Sequence, residues 1–462
     1  MLFPSPRYGA EAITKLIEQV DGDILITTSS PFPVADEIRS KRPMRTFTFP
    51  SLDELYASKT QAYPFTKTYA KHKHEPFVCL HTSGTTGFPK PILWSHEWPN
   101  ANFQGYALPP TDDGVELSNV LLGPKNRVMF PFPAFHTSGL LAQLFFGLGS
   151  GATLVLPPAG DTPGCLVENV AATLEYLHDA DEEDITIAAL PPPSMEFLSK
   201  SPDLLDRISK RVGRMGFGGG DISDEAGNII SQKMQVVNEY GSTEMGLWPA
   251  LTQPYPSPEY EWHYTAFHPM TNIRLDPVSV TDEGDEICEA VMVRNEEGDY
   301  VQPLFTINKD EEEKNVGDLF VRHRRDGRLW RHHGRSDDLL TFITTEKFHP
   351  AAAERRIGSD PVVEEVMMVG TMRPKAALIV RLVKGERVDD LWETVKKVNA
   401  LSPVYARVER DMVLVVEEEF LMTAKGTMRK KDMVMKYEKE LDGLYGKVGE
   451  IDIRIDVATV AP

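Results

Sequence analysis

The chain has 462 residues, 41% of them hydrophobic and 26% charged. This is a globular composition with enough apolar material for about three domain-sized cores. Its formal net charge of −20 argues against nucleic acid or an anionic membrane surface as the main partner, so a bound anion must be met by local positive features. The three cysteines, Cys79, Cys165 and Cys288, are far apart and form no C-x-x-C. They read as reduced core residues of a cytoplasmic protein, with no zinc and no disulfide frame.

The first 16 residues lack a basic region followed by a long apolar one, so no signal peptide is expected. Residues 12–20 read as a helix and 23–28 as a strand, followed by Pro-rich and basic segments up to residue 76. The apolar, β-prone run Phe77, Val78, Cys79, Leu80 then feeds a loop, Thr82, Ser83, Gly84, Thr85, Thr86, Gly87, that closes on Lys90. The glycines allow close backbone approach to a ligand. The hydroxyls and exposed amides of such a turn form an anion-binding nest, and Lys90 adds a mobile positive charge. The spacing is not that of the common P-loop. By itself the stretch is equally a Gly/Thr-rich hairpin loop.

Further on, residues 127–133 read as a strand, 138–148 as a buried helix and 152–156 as a strand. The uncharged stretch 137–160 has the length of a membrane span, but Gly147, Gly149, Gly151, Pro157 and Pro158 break it and Gln143 interrupts it. Val167, Val170, Ala171, Leu174 and Leu177 share one helical face. Strands follow at 185–190, 214–217 and 235–238. This alternation implies parallel sheets with helical crossovers. Residues 262–330 carry short strands and charged turns, which predict a more antiparallel, barrel-like part. After Asp337 a smaller α+β unit is expected, with strands at 362–369, 376–382 and 412–416 and helices at 389–399 and 431–444.

The loop Thr82–Lys90 resembles the phosphate loop of the adenylate-forming (AMP-binding) superfamily, and further motifs of that family follow in order along nearly the whole chain from Phe77 onward. Asn238, Glu239, Tyr240, Gly241, Ser242, Thr243 and Glu244 are similar to its Y-G-x-T-E motif. The resemblance implies that Tyr240 stacks on adenine, Thr243 bonds a phosphate oxygen and Glu244 holds Mg²⁺, a fitting role for a hard carboxylate. Gly219 and Gly220 resemble the glycine stretch along which adenine and the acyl group pass. The nearby Ser223 only faintly resembles a carrier-protein attachment serine. Gly317, Asp318, Leu319 and Gly334, Arg335, Ser336, Asp337 are similar to the G-D-L and G-R-x-D motifs. They imply that Asp318 accepts both ribose hydroxyls, Arg335 reaches ribose or phosphate, and Asp337 is the hinge of a mobile C-terminal domain. Lys425, between Ala424 and Gly426, resembles the catalytic lysine. Its plainer reading is one charge in a basic run with Arg429, Lys430 and Lys431, normally a solvated face. His136 matches a position lining the acyl-carboxylate site, and is otherwise a core histidine. Amino-acid-activating relatives place an aspartate near His136, so Phe135-His136 argues for a substrate without an α-amine.

The resemblance implies an α/β fold: a large domain of parallel and mixed sheets with helices over 1–336, apparently shortened at its start, and a small mobile α+β lid over 337–462. Residues 340–347 lack the usual basic residue and glycine, with Thr345 in the glycine's place. With 425–445, they point to the adenylation domain of fungal synthetase-like carboxylic acid reductases. The implied reaction is ATP-dependent activation of an aryl or aliphatic acid to an acyl-adenylate, with release of pyrophosphate and transfer to a phosphopantetheine thiol in trans. An acyl-CoA ligase using free CoA and a non-catalytic nucleotide-binding relative remain the alternatives.

Overall fold

The computed structural model describes the chain apart from residues 6–7, 29–33, 60, 83–88, 116, 181, 183, 258–259, 282–283, 299, 344–346, 423–427 and 449–462. The chain divides into two compact units. The first comprises Met1–Asp276, Ala290–Val316 and Arg322–Arg331, and the second Pro277–Glu289, Gly317–Val321 and His332–Pro462.

The first unit is built on a five-stranded parallel sheet in the order Thr153–Leu154, Arg127–Met129, Ile187–Ala189, Arg214–Gly218, Gln235–Glu239. Successive side chains of a strand point to opposite faces, and the two faces have separate cores. Met129, Ala188, Met215 and Val236 face one cluster, which packs with the helix Pro163–Asp179 through Val167, Val170, Ala171 and Leu174. Val128, Ile187, Ala189 and Val237 face the other, which holds Phe130, Phe132, Phe145, Phe146, Trp94 and Trp98. The long uncharged stretch forms a helix from Thr137 to Ser150, π-helical over Leu141–Phe146, and then the strand Thr153–Leu154. Among the described residues no helix is long and apolar enough to cross a membrane.

Several expectations need correction. The strand expected over 127–133 pairs only at Arg127–Met129, because Pro131 and Pro133 remove backbone donors. Cys165 is exposed, since it sits in the first turn of its helix, off the apolar stripe. The antiparallel part is an open sheet rather than a closed barrel. Its order is Ala250–Leu251, Tyr264–Phe267, Leu329–Arg335, Glu313–Arg322, Glu286–Val293, Ile273–Val280. The last strand is largely solvent-facing and contains Pro277, which suits an edge.

The second unit has a three-stranded sheet, Val363–Val369, Ala377–Leu382 and Val413–Val415, that shares an apolar core with Ala353, Ile357, Leu391 and Val395 from two helices. The helix expected over 431–444 is two helices, Lys430–Lys436 and Glu438–Val448, because the backbone leaves the helical region at Tyr437. Lys430 is not part of a solvated face: its ammonium lies 2.9 Å from Glu354 and 3.7 Å from Asp338. Burial alone would lower its pKa, but the two carboxylates outweigh it and the net shift is upward.

Candidate active site

In the first unit the loop closing on Lys90 is carried by an antiparallel hairpin, Pro76–Thr82 against Lys90–Ser95, in which Thr82 faces Lys90. The Cys79 N–H donates to the Met1 carbonyl at 2.8 Å, and the Phe3 N–H to the Cys79 carbonyl at 3.1 Å. Ser83, Gly84, Thr85, Thr86 and Gly87 lie outside the described residues.

The Y-G-x-T-E stretch leaves the carboxyl end of the edge strand Gln235–Glu239, where open α/β sheets bind ligands. Asn238 pairs with Phe217 on the neighbouring strand. That strand runs into Gly219, at φ 81°, and Gly220. Ser223 next caps the helix Asp224–Ser231 and bonds Glu196, a structural role.

Beyond Tyr240, Gly241–Ser242 pairs with Gly246–Leu247 and presents Thr243 and Glu244 at the tip. The Ser242 hydroxyl accepts from the Glu244 and Met245 amides at 3.3 and 3.2 Å. Two indoles fix the tip from below: Trp94 Nε1 donates to the Thr243 carbonyl and Trp98 Nε1 to the Glu244 carbonyl, each at 2.9 Å. These rings stack 3.5 Å apart at 9°. Asn102 Oδ1 accepts from the Leu247 amide at 3.3 Å and fills the space a Cβ at Gly246 would need. Gly246 has φ 66°, open to glycine at little cost. Tyr240 stands edge-on to Phe267, with centroids 5.6 Å apart.

Thr243 is 2% exposed, and its hydroxyl accepts from Thr137 at 2.9 Å. Thr137 directly follows His136. His136 Nδ1 lies 2.7 Å from the Ser138 hydroxyl and accepts from the Ser138 amide at 3.3 Å. A backbone N–H can only donate, so the neutral imidazole carries its proton on Nε2. His136, Thr243 and Glu244 are thus joined by a short chain of contacts.

The Glu244 carboxylate has no hydrogen bond or ion pair among the described residues. Among those residues no group of three His, Cys, Asp or Glu side chains could hold a metal. One uncommitted carboxylate fits Mg²⁺ taken up with a nucleotide, because that ion is usually held by one or two carboxylates together with phosphate oxygens.

Thr137, Trp94, Trp98 and Glu239 were missed in the sequence. Only Glu239 left a signal there, since the period-2 alternation of its strand puts it on the same face as the buried Val237. Its carboxyl extends over Gly216, where an added Cβ would meet Oε1 at 2.9 Å, and it lines a cleft with Leu121, Phe130, Phe146, Leu247 and Trp248. Burial pushes its pKa up to about 8.

The second unit holds the remaining described candidates. Gly317 precedes Asp318 at φ 76°, and the Arg335 guanidinium packs against Gly317, where a side chain would collide with it. Arg335 lies 3.3 Å and His332 3.6 Å from Asp318 Oδ1. Gly334 backs onto the ring of His349, whose Nε2 donates to the Arg335 carbonyl at 3.1 Å. Burial lowers the His349 pKa to about 4, and Lys430 pushes the same way against that hydrogen bond. Asp337 lies in the turn Ser336–Asp338. Lys425 lies outside the described residues.

Solved structures share this fold. ATP-bound MatB from Rhodopseudomonas palustris superimposes with a TM-score of 0.67 at 18% identity, covering 94% of this chain and 83% of that one. An anthranilate CoA ligase in complex with anthranoyl-AMP gives 0.64 at 18%, covering 93% and 81%. The AMP-binding enzyme family model matches residues 2–288, and the AMP-binding enzyme C-terminal domain model matches 337–449. The chain therefore belongs to the AMP-binding, adenylate-forming enzyme family. Among its curated relatives are an isocyanide synthase-NRPS hybrid of Aspergillus fumigatus, 30% identical over 96% of this chain and 28% of that protein, and a carboxylic acid reductase of Neurospora crassa, 27% identical over 96% and 42%. An adenylate-forming reductase of Serpula lacrymans is 27% identical over 96% and 42%. The chain thus spans less than half the length of these relatives.

Proposed function

We propose that this chain activates a carboxylic acid with ATP and passes the acyl group to a phosphopantetheine thiol. The observation that carries the reading is the contact chain His136–Thr137–Thr243–Glu244, which brings together a residue for the acid's carboxylate, one for a phosphate oxygen and one for a metal. An oxygen of the acid attacks the α-phosphorus of ATP, the bond to the β-phosphate breaks, and pyrophosphate leaves with its charge. The nucleophile is already an anion, so the task is alignment and charge neutralisation rather than deprotonation.

In this reading Tyr240 stacks on adenine, with Gly219, Gly220, Asn238, Gly241 and Ser242 shaping the backbone around the base. Asp318 takes the ribose hydroxyls and Arg335 ribose or phosphate. Thr82, residues 83–87 and Lys90 hold the phosphates. Mg²⁺ bound with ATP would be held by Glu244 and supplies charge neutralisation. Lys425 serves the transition state from a lid over 337–462 that turns at Asp337.

The test is acid-dependent ATP–pyrophosphate exchange across a panel of aryl and aliphatic acids, with wild type and Glu244→Ala. Exchange in wild type and its loss in Glu244→Ala is expected. No exchange with any acid would overturn the adenylation reading in favour of a non-catalytic nucleotide binder. Transfer to CoA and not to a phosphopantetheinylated carrier domain would overturn the proposed acceptor.

A further inference from the structure

The strand Pro76–Thr82 is gripped near its end by one of its own side chains. Val78 and Leu80 face the aromatic cluster, so strand parity turns Cys79 and His81 to the other face, where the His81 ring meets that of Tyr8 with centroids 5.1 Å apart. The N-terminal segment lies alongside in parallel and bonds the Cys79 main chain through Met1 and Phe3. Bonds of a parallel pair recur at even spacing, and the next would run from the Ser5 N–H to the His81 carbonyl. The Ser5 N–H donates instead to His81 Nε2, at 3.0 Å. A main-chain N–H can only donate, so the neutral ring carries its proton on Nδ1. Ser5 is fully buried and His81 is 8% exposed. This bond falls where the main chain is short of donors. Pro4 and Pro6 have no N–H, and across the hairpin His81 faces Pro91, which has none either. A buried N–H needs an acceptor, and a valine or leucine at position 81 would pack the same face without supplying one. Directly after His81 comes Thr82, facing Lys90.

Resting on the adenylation reading above, we propose that His81 is a positioning residue for the phosphates of ATP. It clips the N-terminal segment to the root of the hairpin and so fixes Thr82 and Lys90, which take the phosphates in that reading. His81 itself touches no substrate; it acts through its neighbour Thr82 and through Lys90 opposite. The base, the ribose and one phosphate fall to Tyr240, Asp318 and Thr243. The clip therefore bears on the further phosphates that ATP has and AMP lacks. Loosening it costs alignment of a charged group, to which such sites are sensitive even when the change lies away from the chemistry.

The experiment takes wild type, His81→Phe, His81→Asn and His81→Gln through ATP–pyrophosphate exchange, with the acid of the aryl and aliphatic panel that wild type turns over fastest. ATP and AMP are titrated separately, and thermal unfolding is recorded for each variant. Phenylalanine keeps a ring against Tyr8 but has no acceptor. The glutamine amide oxygen reaches to about where Nε2 stands, whereas that of asparagine stops nearer the main chain. His81→Phe and His81→Asn should lose on the order of 10²-fold in kcat/KM for ATP, mainly through KM, the pattern of lost binding rather than lost chemistry. The KM for the acid and the affinity for AMP should stay as in wild type, and His81→Gln should recover most of the loss. If His81→Phe does not fold, asparagine against glutamine decides the same question. Wild-type ATP kinetics in the phenylalanine and asparagine variants would overturn the proposal. Equal weakening of ATP and AMP, or a loss that follows the unfolding midpoint with no recovery in His81→Gln, would overturn it too and leave His81 a residue of the fold. ATP binding that depends on His81 while AMP binding does not, in a chain that shows no exchange with any acid, would strike the adenylation reading alone. No binding of ATP by wild type would overturn both.

Discussion

The Thr137 hydroxyl lies 2.9 Å from that of Thr243, although 106 residues separate them. Both side chains are almost fully buried. The bond couples the start of the Thr137–Leu140 helix, and with it His136, to the tip that presents Glu244. If that coupling sets the site's geometry, Thr137→Val should slow adenylation while Thr137→Ser should not. Thr137→Val should also cost roughly 1–3 kcal/mol of stability, because it strips a buried hydroxyl of its partner. Denaturant unfolding alongside pyrophosphate release reads both, and a valine variant matching wild type in each would remove the bond from the argument.

Gly246 combines φ 66° with the Asn102 side chain lying where a Cβ would go. Gly246→Ala should therefore destabilise by more than about 1 kcal/mol, the size of effect at which left-handed glycines resist alanine. It should also displace the Leu247 amide from Asn102. Adding Asn102→Ala should relieve the collision but not the backbone strain, so the double variant should recover only part of the loss. Full stability of Gly246→Ala in thermal unfolding would contradict this.

Burial holds His349 neutral at pH values where an unburied imidazole takes up a proton. Its folded pKa, about 4, lies below its ordinary 6.5, so between those values the unfolded chain binds a proton that the folded chain does not. Stability should be complete above about pH 6.5 and fall as the pH drops toward 4. His349→Gln should flatten that acid limb. Unfolding midpoints of the two proteins between pH 4 and 7.5 check this, and parallel curves would exclude His349 as the cause.

Lys425 is assigned from its motif. Lys425→Ala should reduce single-turnover adenylation on the order of 10²- to 10³-fold, as other preorganised charge stabilisers do. Nucleotide affinity should change little, the pattern of an interaction made mainly in the transition state. Nucleotide titration and transfer from a synthetic acyl-adenylate complete the measurement. Equal damage to adenylation, nucleotide binding and transfer would assign Lys425 to the fold instead.

The parallel sheet was legible because short strands, buried on both faces, alternate with helices that carry an apolar stripe, as in Val167, Val170, Ala171 and Leu174. Strand ends were less legible where prolines such as Pro131 cut pairing short. The tip from Tyr240 to Glu244 announced itself as a motif, but its supports did not. Trp94, Trp98 and Asn102 look like ordinary core residues until the fold sets them under carbonyls and amides about 145 positions away. Lys430 was misjudged for a related reason: a basic run has no internal signal of which member will meet Glu354 and Asp338.

The stacked pair Trp94 and Trp98 has an optical consequence. Indoles 3.5 Å apart at 9° are close enough for their electronic transitions to couple, and both are tied to the carbonyls of the tip. Among the six tryptophans of the chain, this pair should dominate the near-ultraviolet circular dichroism. A ligand that shifts Thr243 or Glu244 then writes its arrival into that spectrum, so occupancy of the site can be followed without a label, without turnover and before any substrate acid is known.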